Sequence, residues 1–167
     1  PRIAELKPGQ PQGLRIALRG PLPGETEMAY RLLLEDVAEP ASMQLAGGAS
    51  VNFKMAYDLP VLVPAKGPVT KEMQWRACPA SAAPQQAANT ICLRVLNTGN
   101  RRVKVQTLHL EGEGWQQQWW PKAPQNVLVG DEAEWHVPVP QQATSPLRAV
   151  GIRTFQGETL QARPAAS

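Results

Sequence analysis

The residues with chemistry to offer are few: Cys78, Cys92, His109 and His136. The cysteines lie fourteen positions apart with no second ligand pair near them, a poor match to a structural zinc site, which usually needs four ligands. The histidines are remote from each other in sequence and sit in strand-like surroundings. Neither has a Ser/Asp or Cys/Asp partner at motif spacing, so no nucleophilic or acid–base constellation forms on paper. The favoured chemistry for Cys78 and Cys92, over free thiols, is a disulfide closing a short loop between two strands. A chain-entropy model values such a loop at about 3 kcal/mol, and the bond favours an oxidising compartment such as a periplasm or the cell exterior. Trp115, Trp119 and Trp120 could present aromatic faces to a sugar. Their spacing of four and one, along what reads as an irregular segment, gives no common face, and packing within the protein is the preferred reading. No catalytic residue, metal ligand or cofactor motif is assigned, and the chain is read as a non-enzyme.

The elements that must position these residues are short and extended. Of 167 residues 43% are hydrophobic and 19% charged, a globular balance and not a disordered one. The 13 glycines and 17 prolines fall between short apolar runs, which predicts many turns and short strands instead of helices. The formal charge is +3, but the basic residues are dispersed, with no cluster beyond Arg101-Arg102 and Lys104, so nucleic acid is not read as a partner. No apolar run approaches the roughly 20 residues that cross a bilayer as a helix, and no membrane insertion is expected. The sequence opens at Pro1-Arg2-Ile3 without a methionine or a leader, and is expected to be processed, engineered or incompletely represented.

The most regular segment is Gly48 to Pro64. Val51, Phe53, Met55, Tyr57 and Leu59 alternate with Asn52, Lys54, Ala56 and Asp58, the period of a strand that buries one face and wets the other. Val61-Leu62-Val63 follows, bracketed by Pro60 and Pro64, and Pro60 suits an edge strand, a bulge or a strand end. Upstream, a short strand or extended arm is expected over Ile3–Pro11, with a turn at Lys7–Gln10. Gly13–Arg19 alternates as a strand, with Leu14, Ile16 and Leu18 on one face. Met28–Val37 is open between helix and strand on local pattern. A loop through Gly47-Gly48 then leads into the Val51 strand. Beyond a turn-rich break at residues 66–70, strands are expected around Met73–Ala77, Ile91–Leu96, Arg102–Leu110, Val127–Val129, Trp135–Pro140, Leu147–Phe155 and Glu158–Ala162. Cys78–Asn89 reads as a hairpin connection and Asn97–Asn100 as a tight turn. Such a strand count after residue 67 is what a β-sandwich needs; the part before it has about half.

The ordered stretches Leu6-Lys7-Pro8-Gly9-Gln10, Gln12–Ile16, Glu27–Leu32, the alternating Val51 strand with Leu59–Pro64, and Leu93–Asn100 followed by Val103-Lys104-Val105 resemble the periplasmic chaperones of the chaperone–usher pathway of pilus assembly. Their wording looks closer to the archaic, Csu-like branch than to the best-known uropathogenic type. The resemblance covers nearly the whole chain. It implies an all-β chain of immunoglobulin-like β-sandwiches: residues 1–66 as the C-terminal part of an incomplete first domain, and residues 67–167 as a complete second one. It also implies that Tyr30–Val37 is a strand. Val51, Phe53, Met55, Tyr57 and Leu59 become the donor strand, lent to a pilin subunit that lacks its own last strand. The implied partners are that fimbrial subunit and an outer-membrane usher, in the periplasm. Roughly three N-terminal strands of the family have no counterpart here, nor does the basic residue that anchors a subunit's C-terminal carboxylate; Arg2, Arg15 and Arg19 do not occupy its motif. A missing N-terminal segment or a second chain is therefore expected to complete the first domain. The alternative function is a secreted or surface β-sandwich adhesin or binding module that works through loops.

Overall fold

The computed structural model describes residues 3, 5, 7, 9–21, 24–38, 41–78, 89–141, 143 and 145–166. Among them the architecture is all-β: one large curled mixed sheet and two small sheets, a sandwich- or barrel-like arrangement. The strands are β1 Met28–Glu35, β2 Ala41–Gln44, β3 Ser50–Phe53, β4 Ala56–Val63, β5 Met73–Ala77, β6 Thr90–Asn97, β7 Val103–Gly112, β8 Trp115–Trp119, β9 Gln125–Val127, β10 Glu132–Pro138, β11 Leu147–Thr154 and β12 Thr159–Pro164.

The large sheet runs β10-β6-β5-β12-β11-β7-β8, with β9 also on β7. Every pairing in it is antiparallel except β5 with β12. Its strands alternate as a half-buried strand must, and the inward residues of both halves meet in one core. Leu93 and Val95 of β6, Val105 and Leu108 of β7, Val137 of β10, and Val150 and Ile152 of β11 are wholly buried there. Most buried polar groups are satisfied, as a low-dielectric interior requires; the Trp75 indole N–H and Arg101 Nε are the exceptions among the described residues. The Trp135 indole N–H donates to Gln125 Oε1 at 2.9 Å, and that of Trp115 to Ser145 Oγ at 2.9 Å. Asn97, with no exposed surface, donates through Nδ2 to the carbonyls of Arg101 and Val127 and accepts from the Gly99 N–H. A Cβ on Gly99 would sit 2.4 Å from the Thr70 carbonyl oxygen, so only glycine lets the turn and the incoming linker approach this closely.

The two small sheets are the arms of one long hairpin. β1 pairs with β4 from Met28↔Val63 to Glu35↔Ala56, and β2 pairs with β3 from Ala41↔Phe53 to Gln44↔Ser50. Between the ladders, the Asp36 N–H donates to the Met55 carbonyl at 2.9 Å. At the tip, the Leu45 N–H donates to the Ala49 carbonyl, and Gly47 and Gly48 take the positive φ angles of the turn. The ribbon is tied to the large sheet at its base. The Glu27 N–H donates to the Asn100 carbonyl at 2.9 Å, and Glu27 Oε1 accepts the Arg102 N–H at 3.0 Å. Asn100 also holds the linker, donating to the Pro68 carbonyl and accepting from the Thr70 N–H.

Several sequence expectations need correction. Gly13–Arg19 is not a strand: Leu14, Ile16 and Leu18 alternate but find no ladder and lie exposed. The turn at residues 7–10 is present, closed by the Gln10 N–H on the Lys7 carbonyl. The Val51–Leu59 strand is not continuous; it breaks at Lys54-Met55, where the pairing partner changes from β2 to β1. The loop before Gly47 contains a strand, β2. Trp115–Trp119 is a regular strand, which puts Trp115 in the core and Trp119 against it, leaving Trp120 exposed. Met28–Glu35 is a strand; the Tyr30–Val37 strand that the resemblance implies ends two residues early, at Glu35. The hairpin connection expected after Cys78 lies, from residue 79 to 88, outside the described residues.

Candidate functional site

The ladder of β1 on β4 sorts their side chains into two faces. One carries Met28, Tyr30, Leu32 and Leu34 opposite Val63, Val61, Leu59 and Tyr57; the other carries Ala29, Arg31, Leu33 and Glu35 opposite Leu62, Pro60, Asp58 and Ala56. The first face is wholly apolar or aromatic. In a body with a second layer it would be core, but among the described residues no strand lies over this ribbon. Phe53, Met55, Tyr57 and Leu59 are 53%, 56%, 54% and 44% exposed, and Val51 is half-buried. Of the five residues expected in the donor strand, the structure therefore puts Tyr57 and Leu59 on β4, Val51 and Phe53 on β3, and Met55 at the break between them. Covering each of these large side chains would be worth roughly 1.5–3 kcal/mol.

The second face carries the charge that fixes the hairpin. Arg31 donates from Nε to Asp58 Oδ1 at 2.8 Å and from Nη2 to Oδ2 at 2.6 Å. These hydrogen bonds hold the Asp58 carboxyl below its ordinary range. Both side chains are well exposed, so the pair fixes geometry more than it adds stability.

The backbone of β4 has one free edge. The Asp36 N–H donates to the Met55 carbonyl in register with the ladder. Antiparallel pairs alternate between bonded and non-bonded, so Tyr57, Leu59, Val61 and Val63 turn their N–H and carbonyl groups toward β1. Ala56, Asp58, Pro60 and Leu62 turn theirs away from it. No described strand takes that second edge. Sequence reasoning found the apolar face through its period but not the parity of the free edge, which needs the register of β1 against β4.

The sulfur chemistry is realised. Cys78 and Cys92 form a disulfide with Cα atoms 5.4 Å apart, stapling the end of β5 to β6, where the Cys78 N–H donates to the Cys92 carbonyl. Glu134 lies beside the two sulfurs, but a disulfide offers no thiolate for a metal. His109 lies on β7 opposite Gly151 and Gln118, and His136 on β10 opposite Cys92; the two belong to different pairings and do not form one site. A cleft of about 610 Å³ at the ribbon base is lined by Lys71, Arg101, Arg102, Glu27 and Glu158, with Lys71 already paired to Glu158. No protein-family model, curated protein or solved structure matches this chain.

Proposed function

We propose that this chain is a periplasmic chaperone that binds an incomplete, immunoglobulin-like pilus subunit by donor-strand complementation and delivers it to an outer-membrane usher. The observation that carries the reading is the ribbon: an alternating strand with a free backbone edge and large apolar side chains left in solvent. A subunit lacking a strand has the reciprocal defects, an unpaired edge and an apolar groove. Adding β4 satisfies both at once, with ladder hydrogen bonds for affinity and alternate side chains for selectivity. The Cys78–Cys92 disulfide suits the oxidising compartment this requires. The working residues are Tyr57 and Leu59 on β4, with Phe53 and Met55 extending the contact past the break. Nothing in this exchange needs a nucleotide or a metal.

The test is co-expression with a pilin subunit in a periplasm, followed by co-purification. Leu59→Asp sets a carboxylate into the apolar groove, where an unpaired charge is strongly disfavoured, and should abolish recovery of subunit. Lys54→Asp, at a polar position in the alternation, should leave most of it. Equal recovery with Leu59→Asp and the unmodified chain, both shown folded by thermal unfolding, would remove the reading.

A further inference from the structure

We infer that Pro60 is a filter on the free edge of β4, one that turns away a second copy of this chain and admits a strand with an irregularity opposite it; the inference rests on the donor-strand reading. Pro60 stands opposite Arg31 in a non-bonded pair of the β1 ladder, so its missing N–H belongs to the free edge and not to the ribbon. Inside the hairpin the proline therefore removes nothing. On the free edge it removes one donor from the row formed by Ala56, Asp58 and Leu62, and sets the ring Cδ where a partner's carbonyl would approach.

The consequence differs between partners. A second copy adding antiparallel across a two-fold axis brings its own Pro60, because a symmetric interface repeats every contact. Such a pair loses the donor twice and must bury two carbonyls without partners. A subunit of different sequence meets the defect once. It avoids even that if its strand bulges or ends opposite Pro60. An exposed, alternating, apolar edge is otherwise a template for self-pairing, and neither the Arg31–Asp58 pair nor Lys54 blocks the backbone row itself.

The experiment uses the whole chain and its Pro60→Ala variant, so the probe is a second copy of the protein. Each restored backbone hydrogen bond is worth roughly two- to tenfold in affinity. P60A should self-associate about tenfold or more tightly than the unmodified chain in sedimentation velocity. Residue-resolved amide exchange gives the local readout. In the P60A associate, the amides of residues 56, 58, 60 and 62 should slow together. Those of residues 57, 59 and 61, already bonded to β1, should be protected in both proteins, which also shows that the variant keeps its ribbon. Equal self-association of the two proteins, or slowed exchange away from the even-numbered row, overturns the filter. If P60A behaves as the unmodified chain while Leu59→Asp still abolishes subunit recovery, the filter alone is wrong. If Leu59→Asp recovers subunit normally, the donor-strand reading fails whatever P60A does.

Discussion

β4 and β6 are strands of equal length, eight residues each, and each pairs antiparallel along nearly its whole length. Both alternate in sequence. Yet Leu93 and Val95 of β6 have no exposed surface, while Tyr57 and Leu59 of β4 are about half exposed. The difference lies in what surrounds the ladders. β6 sits between β10 and β5 in a sheet that curls until its halves share a core. Among the described residues, β4 pairs with β1 alone and no strand packs as a second layer on it. Alternation thus specifies a face that gains by being covered, and says nothing about whether the cover belongs to the same molecule. Where the chain supplies the cover, the result is a core. Where it does not, the same pattern leaves its apolar side chains in solvent.

The sharpest way to break this comparison is to truncate matched leucines. Leu93→Ala removes buried volume from a closed core and should cost about 2–5 kcal/mol of stability. Leu59→Ala on the exposed face should cost less than about 0.5 kcal/mol. Chemical denaturation of both variants checks this, and a similar loss from each would show that the ribbon has a covered core after all. Reduction of the disulfide comes next. Opening the loop between β5 and β6 should cost about 3 kcal/mol, confined to the large sheet, and thiol titration of the denatured, non-reduced protein should find no free thiol. Gly99→Ala should follow at about 1–3 kcal/mol, because its Cβ has no room against the linker backbone. Its measure is the thermal midpoint, with Gly157→Ala, where no neighbour is close but φ is positive, as a separate test of strain without contact.

The smallest effect expected is on the ribbon at low pH. The Asp58 carboxyl is held below its ordinary value by hydrogen bonds from Arg31. A carboxyl depressed in the folded state adds stability above its unfolded pKa, near 4, and loses it as the pH falls through the folded value. Hairpin amide protection should therefore drop below about pH 4, separately from any loss in the large sheet, where Arg76 holds the Glu132 carboxyl low in the same way. Asp58→Asn should remove that pH step, and a step that persists in the variant would assign it elsewhere.

How much of this was legible in the sequence follows the same division. Most strands of the large sheet announce themselves, since Val, Ile, Leu and Trp recur at period two between turn residues, and the Asn97–Asn100 turn carries its own chemistry. The disulfide was readable from the two cysteines flanking a strand break. β2 was missed because Ala41-Ser42-Met43-Gln44 has little strand propensity and exists only by pairing with β3. Gly13–Arg19 shows the reverse error: its period is strand-like, but a strand needs a neighbour to bond, and the described chain gives it none. The break at Lys54-Met55 was invisible because the apolar period passes straight through it. Only the change of partner, from β2 for β3 to β1 for β4, reveals it. The apolar face of the site was in the sequence; the identity of its free edge was not, because parity depends on the register of a strand about twenty to thirty-five positions away.

The central claim is that the free edge of β4 is completed by a strand from another protein. It is tested most directly by residue-resolved amide exchange on the chain alone and in complex with a pilin subunit. In the free chain the account predicts fast exchange at Ala56, Asp58 and Leu62 and slow exchange at Tyr57, Leu59 and Val61. On binding, the first three should become slow and the second three should stay so. A stable complex in which Ala56, Asp58 and Leu62 still exchange as fast as in the free chain would contradict it.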